Sequence, residues 1–280
     1  MTHSRPFHIA IVGCGYVGSE VALKWTQQGY HVTGTTRNPE KLAEIGKVTQ
    51  KAMLIKENGD ADFAPLITSN EVILVSISAD TIHKYESAYL HTAQAFRHLA
   101  LEMDLPRRLI YTSSTSVYGD HMGRWVDEES ELLGATEQAK VLIETENTYL
   151  SLVELGWHVC ILRLAEIYGP GREISQKVRE AQNVALPGDG SQYTNMVHRA
   201  DCAGAIDYVL RHHLEGIYNL ADDDHPTRKV LYSQVAENLH FPPPIWDAEL
   251  SRLHSGNKRI SNHKIKAEGF TFRFPQRELK

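Results

Sequence analysis

Three glycines near the start of the chain have the G-x-G-x-x-G spacing of loops that hold the phosphates of a nucleotide. The motif consists of Gly13, Cys14, Gly15, Tyr16, Val17 and Gly18. In such loops the first glycine allows a sharp turn, the second lets the backbone approach a pyrophosphate, and the third lets a helix pack closely on the preceding strand. The N–H groups at the start of that helix, together with the helix dipole, then favour bound phosphate.

The residues on either side of the motif indicate whether it is a phosphate-binding loop. An apolar run at 8–12 precedes it, and a helix-compatible stretch at 19–28 follows it directly. A strand, a tight turn and a helix are the context in which the motif binds a dinucleotide. The alternative is a glycine-rich turn that binds nothing, which fits an isolated motif better than one with these flanks. The sequence therefore predicts a dinucleotide site at 13–18.

The type of dinucleotide depends on the end of the second predicted strand. Sites that prefer NAD place an Asp or Glu about 20 residues after the glycines, where it accepts hydrogen bonds from the adenosine ribose. Thr36 falls near this distance from Gly18, and no carboxylate occurs between residues 31 and 38. Arg37 stands there instead, and a guanidinium suits the extra 2′-phosphate of NADP. NADP is the expected cofactor and NAD the less favoured one, unless Arg37 is an ordinary solvated loop cation.

Short apolar runs alternate with segments of helical period along most of the chain. The predicted strands cover 8–12, 30–37, 51–55, 71–77, 108–112, 159–164 and 216–220, and the predicted helices 19–28, 39–45, 81–103, 136–155, 174–181 and 200–211. This alternation predicts an α/β protein with a Rossmann-type, doubly wound parallel sheet. Because ligands of such sheets bind at the carboxyl ends of the strands, Ser76 could contact the cofactor ribose or pyrophosphate. Alternatively, Ser76 only caps the turn to the next helix.

The domain organisation follows from a turn-rich break in this rhythm near residue 170. We expect an NAD(P)-binding Rossmann domain at 1–170 and a small C-terminal substrate-binding cap at 171–280. A strand near 216–221 is a candidate to return to the main sheet. A basic segment at 257–262 could hold a phosphate of the substrate, and a solvated charged face is the alternative.

Composition narrows the classes of function. The 280-residue chain has a formal net charge of −6, which argues against a nucleic-acid groove. Cys14, Cys160 and Cys202 are widely spaced among small or apolar residues, so buried thiols are expected rather than disulfides or a metal site. No apolar segment reaches the roughly 20 residues needed to span a bilayer. The expectation is a cytoplasmic protein that binds neither a membrane nor nucleic acid.

Five segments, in order along the chain, resemble the extended short-chain dehydrogenases/reductases, the group that contains the nucleotide-sugar epimerases and dehydratases. They are the glycine motif at 13–18 and the segments 111–119, 161–171, 195–201 and 217–221. In that family a Ser, a Tyr and a Lys carry out catalysis, with the Tyr and Lys spaced Y-x-x-x-K on one helix face. The resemblance places Ser114 in the Ser position and Lys140 in the Lys position, where the Lys would also bind the nicotinamide ribose.

The position of the family tyrosine holds Thr136, an alcohol that is a far weaker acid than a phenol. Another group could transfer the proton, and Tyr118, His121 and Glu137 are the nearby candidates. Thr136 and Ser114 could instead only polarise a substrate, or the protein could bind NADP without turnover. In this respect the chain resembles the atypical branch of the family, which keeps cofactor binding and lacks the tyrosine.

The residues and the resemblance together give the expected function. It is an NADP-binding oxidoreductase or an epimerase/dehydratase-like protein with an unknown small-molecule substrate, such as a nucleotide sugar or another carbonyl or hydroxyl compound. The alternative is a catalytically silent NADP-binding sensor or scaffold. Relatives often form dimers through the helices near 81–103 and 136–155, so a homodimer is one assembly that the resemblance implies.

Overall fold

The computed structural model of the chain describes residues 7–79, 84–250 and 256–279. Its strands, numbered along the chain, are β1 (His8–Val12), β2 (His31–Thr36), β3 (Lys51–Leu54), β4 (Val72–Val75), β5 (Arg108–Ser114), β6 (Trp125–Val126), β7 (His158–Leu164), β8 (Glu166–Tyr168), β9 (Leu186–Pro187), β10 (Met196–His198), β11 (Gly216–Leu220), β12 (Trp246–Asp247) and β13 (Arg259–Ile260). Its α-helices are α1 (Tyr16–Gln27), α2 (Leu42–Ile45), α3 (Asp60–Ser69), α4 (Tyr85–Met103), α5 (Glu137–Leu150), α6 (Ile174–Glu180), α7 (Arg199–His212), α8 (Arg228–Asn238) and α9 (His263–Ala267).

Seven of these strands form one parallel sheet in the order β11-β7-β5-β4-β1-β2-β3. β1 lies between β2 and β4, with Ile9 opposite Val32 on one side and Val72 on the other. The chain proceeds outwards from β1 to β2 and β3, and then returns to β4 on the opposite side of β1. This is the doubly wound Rossmann-type topology that the sequence predicts, and the prediction is confirmed. The reversal of direction at β1 and β4 marks the edge at which such sheets bind ligands.

The central strands form because their sequences suit burial on both faces. β4 has the sequence Val-Ile-Leu-Val, and all four of its residues are buried. β1 is buried from Ile9 to Val12. Continuous apolar runs of this kind are typical of parallel strands covered by helices. α1 contacts both β1 and β2, and it buries Val17, Val21 and Trp25 at helical spacing.

The structure contains a helix between β3 and β4 that the sequence pattern does not predict. α3 carries Pro65 in its interior, where proline removes a backbone donor and disfavours a helix. Its apolar residues Phe63, Leu66 and Ile67 are nevertheless buried, so tertiary packing outweighs local propensity. The helix predicted from Thr81 is observed from Tyr85, and Thr81 itself lies outside the described residues.

The chain divides into two compact units, each built from three segments. The first unit contains residues 1–113, 140–162 and 203–217, and the second contains 114–139, 163–202 and 218–280. This arrangement differs from the contiguous division near residue 170 that the sequence suggests, because the chain leaves the first unit at the carboxyl ends of several strands. The strand expected near 216–221 is β11, and it forms an edge of the seven-stranded sheet.

The second unit anchors its last segment through a buried arginine. Arg277 Nε donates to Asp222 Oδ2 at 2.8 Å, and Arg277 Nη2 donates to the Thr194 carbonyl oxygen at 3.1 Å. The side chains of Arg277 and Asp222 are both fully buried. Because a buried charge is costly without a partner, this pair fixes the C-terminal segment to the residues that follow β11.

Among the helices of the described residues, none combines the length and the hydrophobicity required to span a bilayer.

Candidate functional site

The glycine motif forms the turn between β1 and α1, next to the end of β2. Gly13 N donates to Thr35 Oγ1 at 3.2 Å, and Cys14 N donates to the Thr35 carbonyl oxygen at 2.8 Å. α1 begins at Tyr16, and its N-cap residue is Gly15, which has no side chain to bond the first N–H groups. The first turn of α1 carries no acidic residue. The positive end of the helix dipole is therefore available to an anion.

The three glycines of the motif differ in what an added side chain would meet. Gly13 has φ of +90°, and a Cβ built on it would lie 2.5 Å from the Ser76 carbonyl oxygen. A Cβ on Gly18 would lie 2.3 Å from the Gly13 carbonyl oxygen, so a side chain there would push α1 off the turn. At Gly15, in contrast, no atom of the described residues lies within 4 Å of a built Cβ. The turn thus leaves open space beside Gly15, where the backbone can approach a diphosphate.

A cavity of about 540 Å³ lies in the first unit at the ends of β1, β2 and β4. It brings together six of the residues that the sequence predicts for the cofactor, namely Gly13, Cys14, Gly15, Thr36, Arg37 and Ser76. Tyr16, Val17 and Gly18 lie in the first turn of α1. Ser76 is held at the end of β4 by two bonds, from Ser76 N to the Val12 carbonyl oxygen and from Thr112 Oγ1 to Ser76 Oγ. The volume and the open glycine fit a dinucleotide.

The charges around this cavity are mostly positive. Its described lining includes Arg37, Lys41, Lys56 and Lys84, and Glu57 is the one carboxylate among these lining residues. Arg37 Nη2 donates to the Ser78 carbonyl oxygen at 3.4 Å, so the guanidinium lies at the end of β2 and extends towards the residues after β4. The three lysines come from three separate segments of the chain, and for this reason no local motif in the sequence identifies them.

The loop between β3 and α3 is held against the cavity by one carboxylate. Asp62 Oδ2 accepts hydrogen bonds from the backbone N–H groups of Lys56, Glu57 and Asn58, at 3.1, 2.8 and 2.9 Å. Asn58 adopts φ of +55°, and its Nδ2 donates to Thr92 Oγ1 at 2.7 Å. These bonds fix the backbone that carries Lys56 and Glu57 into the cavity lining.

The cysteines are buried thiols. Cys14, Cys160 and Cys202 are all free and buried, and burial raises the pKa of the Cys14 thiol to about 11. Cys14 therefore stays protonated and contributes its backbone to the turn. Within 7–79, 84–250 and 256–279, no group of three or more His, Cys, Asp or Glu side chains is placed to hold a metal ion.

The second unit has a cavity of its own, with a volume of about 370 Å³. Ser114, at the end of β5, lines it together with Ser116, and Ser114 Oγ accepts a hydrogen bond from Ser116 N at 3.2 Å. Asn195, Arg228 and Lys258 also line this cavity. Lys258 belongs to the basic segment at 257–262, and the structure buries it, so this residue is not part of a solvated face.

Tyr118, a proton-transfer candidate from the sequence, lies in a buried hydrogen-bond network. Tyr118 is fully buried. Its hydroxyl donates to Asn219 Oδ1 at 2.8 Å and accepts from Arg163 Nη1 at 2.9 Å. Burial raises the pKa of Tyr118 to about 12, although the Arg163 guanidinium acts in the opposite direction. A buried phenol of this pKa, with both hydrogen-bonding functions occupied, is unsuited to exchange protons with a substrate.

The structure places Thr136 and Lys140 at the start of α5. Thr136 Oγ1 accepts a hydrogen bond from Ala139 N at 3.1 Å, so Thr136 caps the N-terminus of α5. Lys140 is exposed, whereas Leu142 and Glu146 of the same helix are buried. Because residues two positions apart point about 200° away from each other on a helix, Lys140 lies on the face opposite to Leu142. The assignment of Lys140 as the family lysine stays a prediction.

The remaining proton-transfer candidates are positioned differently from each other. His121 is buried, and its Nε2 lies 3.1 Å from the Glu131 carbonyl oxygen. Glu137 is exposed in the first turn of α5. The buried carboxylate of α5 is instead Glu146, whose Oε1 accepts a hydrogen bond from Ser113 Oγ at 2.5 Å. The sequence analysis did not identify Glu146, although it shares the helix face of the buried Leu142.

The doubly wound sheet, the glycine turn and the cavity beside it are the features of α/β proteins of the dinucleotide-binding class. A family model described as the NAD dependent epimerase/dehydratase family matches residues 9–221. The chain is 33% identical over 274 residues to Protein YeeZ of Escherichia coli strain K12. The matched region covers 95% of this chain and 96% of YeeZ. The chain belongs to the NAD-dependent epimerase/dehydratase family, and the resemblance inferred from five sequence segments is confirmed.

Solved structures agree with this fold over nearly the whole chain. A functionally unknown conserved protein from Silicibacter pomeroyi DSS has a TM-score of 0.80 at 25% identity, covering 96% of this chain and 95% of that one. The dTDP-glucose 4,6-dehydratase from Bacillus anthracis, solved in complex with NAD, has a TM-score of 0.80 at 17% identity, covering 96% and 92%. The second likeness supports the fold alone.

Proposed function

We propose that this chain binds NADP(H), and that it does so in the cavity of the first unit. The observation that carries the proposal is the end of β2, where Thr36 and Arg37 line the cavity and no carboxylate occurs between residues 31 and 38. An NAD site would need an acceptor there for the ribose hydroxyls. A guanidinium would form charge-assisted hydrogen bonds with a 2′-phosphate, and these would offset the cost of removing the phosphate from water. Lys41 adds a second cation to the lining of this cavity.

The neighbouring dehydratase from Bacillus anthracis was solved with NAD, so the choice of NADP rests on the residues of this chain. Each part of the cavity has a separate task in holding such a cofactor. The open side of Gly15 would admit the diphosphate, and Arg37 with Lys41 would hold the 2′-phosphate. Ser76 would face the ribose next to the diphosphate. The fixed loop that carries Glu57 would border the adenine.

The first test compares two reduced nucleotides with one variant and one control. We expect NADPH to bind wild-type protein at least about tenfold more tightly than NADH, because a charge-assisted phosphate contact contributes roughly 1.5–3 kcal/mol. Arg37→Ser should remove most of this preference by weakening NADPH while leaving NADH unchanged. Lys47→Ser removes an exposed lysine outside the cavity lining, and it should retain the wild-type ratio. Fluorescence titration measures all six affinities, and equal affinities in wild-type protein would contradict the proposal.

We further propose that the bound cofactor serves an oxidoreductase or epimerase/dehydratase-type reaction at a carbonyl or hydroxyl carbon. When bound, the nicotinamide supplies or accepts a hydride, while a proton moves to or from the substrate oxygen. Ser114 would orient that oxygen, since its hydroxyl lines the second cavity and already accepts a bond from Ser116 N. Its hydrogen can then be donated to the substrate, which polarises the C–O bond.

A second candidate function is a catalytically silent NADP-binding sensor or scaffold. The specific observation in its favour is that Thr136 caps a helix, Lys140 is exposed and Tyr118 is bonded to Arg163 and Asn219. The expected result for an enzyme is steady oxidation of NADPH with at least one member of a panel of aldehydes, ketones and keto acids. Ser114→Ala should slow this oxidation while NADPH affinity stays unchanged. NADPH binding without oxidation across the panel would favour the silent protein.

A further inference from the structure

Two buried cations line the cavity of the second unit, in a chain whose formal net charge is −6. Arg228 is 5% exposed and Lys258 is 6% exposed, and both contribute to the lining of the same cavity of about 370 Å³. Lysine and arginine are almost never fully buried unless they are paired. The partners of these two side chains therefore decide what the cavity is built to hold.

Arg228 is held by aromatic side chains and by a carbonyl group. Its guanidinium carbon lies 4.9 Å from the centre of the Trp246 ring and 5.4 Å from that of Tyr232. Its Nη1 donates to the Pro187 carbonyl oxygen at 3.4 Å. Stacking against rings satisfies the flat face of a guanidinium and leaves its edge, which carries the N–H donors, to bind a carboxylate or phosphate.

Lys258 is held by a backbone carbonyl group. Its Nζ donates to the Gly119 carbonyl oxygen at 3.0 Å, and Asn195 Nδ2 fixes its backbone by donating to the Lys258 carbonyl oxygen at 2.9 Å. Burial lowers the pKa of Lys258 to about 8, and the nearby Asp120 acts in the opposite direction. The position of Lys258 is thus fixed, while its charge is only partly compensated.

The other charges around the cavity cancel. Glu166 and Lys177 line it as an ion pair with each other. Within the part of the chain that the structure describes, no carboxylate lies within 4 Å of Arg228 or Lys258. Two buried positive charges without a carboxylate partner among the described residues are costly by themselves, and an anion bound in the same cavity would reduce that cost.

We propose that the second cavity is a binding site for a compact anionic substrate, whose carboxylate or monophosphate group is held by Arg228 and Lys258. This inference rests on the proposed function, because it places the reacting carbonyl or hydroxyl group of that substrate beside Ser114. A volume of about 370 Å³ is near the lower end of the range of roughly 300–1,000 Å³ for small-molecule sites. A small acid or a small phosphate ester suits it better than a nucleotide sugar.

Calorimetric titration of the protein saturated with NADPH, which fills the phosphate positions of the first cavity, tests this site with three probes: inorganic phosphate, malonate and uridine diphosphate. We expect one binding site for phosphate or malonate, and no more than about tenfold tighter binding of uridine diphosphate than of phosphate. Lys258→Met and Arg228→Met should each weaken the smaller anion at least about tenfold, since each removes a charge-assisted bond. The control Lys229→Met removes an exposed charge next to Arg228 and should bind as the wild type does.

Further readouts separate this site from the cofactor site and from effects on folding. Arg37→Ser should retain the affinity for phosphate, and Lys258→Met should retain the affinity for NADPH. Lys258→Met should also unfold at the same temperature as the wild type or higher, because it removes a buried charge; if Arg228→Met does not fold, Lys258→Met alone decides. Absence of phosphate and malonate binding at millimolar concentration, or unchanged affinity in Lys258→Met, would overturn the proposal. If uridine diphosphate binds more than about 100-fold more tightly than phosphate, the proposal that the substrate is a compact anion is wrong.

Discussion

Gly15→Asp should eliminate measurable NADPH binding and leave the protein as stable as the wild type. Gly15 is the N-cap of α1, with φ of −91°, and no atom of the described residues lies within 4 Å of a Cβ built there. Aspartate is among the preferred N-cap residues, so the free energy of unfolding should change by no more than a few tenths of a kcal/mol. The same carboxylate would occupy the diphosphate position, and like charges cost several kcal/mol at close range. An affinity loss of at least about 100-fold is expected.

Gly15→Asn is the matched control, because asparagine has the same shape, also caps helices well and carries no charge. We expect its affinity for NADPH to lie between those of the wild type and Gly15→Asp. Fluorescence titration gives the affinities, and urea denaturation without nucleotide gives the stabilities. If Gly15→Asp binds NADPH within about threefold of the wild type, the glycine turn does not hold the diphosphate.

Gly13→Ala, unlike Gly15→Asp, should destabilise the fold itself, even in the absence of nucleotide. Gly13 has φ of +90°, and a Cβ would lie 2.5 Å from the backbone carbonyl oxygen of Ser76. Left-handed backbone strain and the overlap with a neighbouring strand end each cost roughly 1–3 kcal/mol. We therefore expect the free energy of unfolding to fall by about 4 kcal/mol in total, measured by urea denaturation of the nucleotide-free protein.

Gly29→Ala isolates the contribution of the overlap. Gly29 also has positive φ, +87°, but no atom of the described residues lies within 4 Å of a Cβ built on it. It should cost about 1 kcal/mol, from backbone conformation alone. Equal losses in Gly13→Ala and Gly29→Ala would mean that the turn can move away from β4, and that the close packing at Gly13 contributes nothing to stability.

The fold could be predicted from the sequence because its signals are local and agree with one another. The buried runs at β1 and β4 are continuous in apolar residues, and the glycine turn joins a strand to a helix, so topology and ligand edge follow together. The sequence pattern did not predict α3, because Pro65 in its interior disfavours a helix locally. Burial of Phe63, Leu66 and Ile67 overrides that preference, and burial is a tertiary effect.

The candidate catalytic residues were assigned from spacing, and their roles stay predictions. Thr136 and Lys140 have the required separation of four, yet the separation does not say which face of the helix they occupy. Ala139, Leu142 and Tyr149 are buried on α5, and their spacing of three and seven residues marks the inner face in the sequence itself. Comparing Lys140 with that apolar stripe would have placed it on the outer face.

The two cavities show a second limit of prediction from the sequence, because their cationic residues are far apart along the chain. Lys41, Lys56 and Lys84 come together in one cavity from three separate segments. Arg228 and Lys258 come together in another, from the start of α8 and from a segment near the end of the described residues. Such groupings depend on the path of the chain in three dimensions. The sequence indicated a basic segment around Lys258, but its burial, which gives the charge its significance, is visible only in the folded protein.

The interleaved segments of the two compact units have an evolutionary consequence. Since each unit is assembled from three stretches of chain, a single recombination event between related genes would join mismatched parts of both units. New substrate preferences in this lineage should therefore arise by point substitution in the loops after the strands, while whole-module exchange is disfavoured. Chimeras between this protein and a relative should fold only when the crossovers respect all of the unit boundaries.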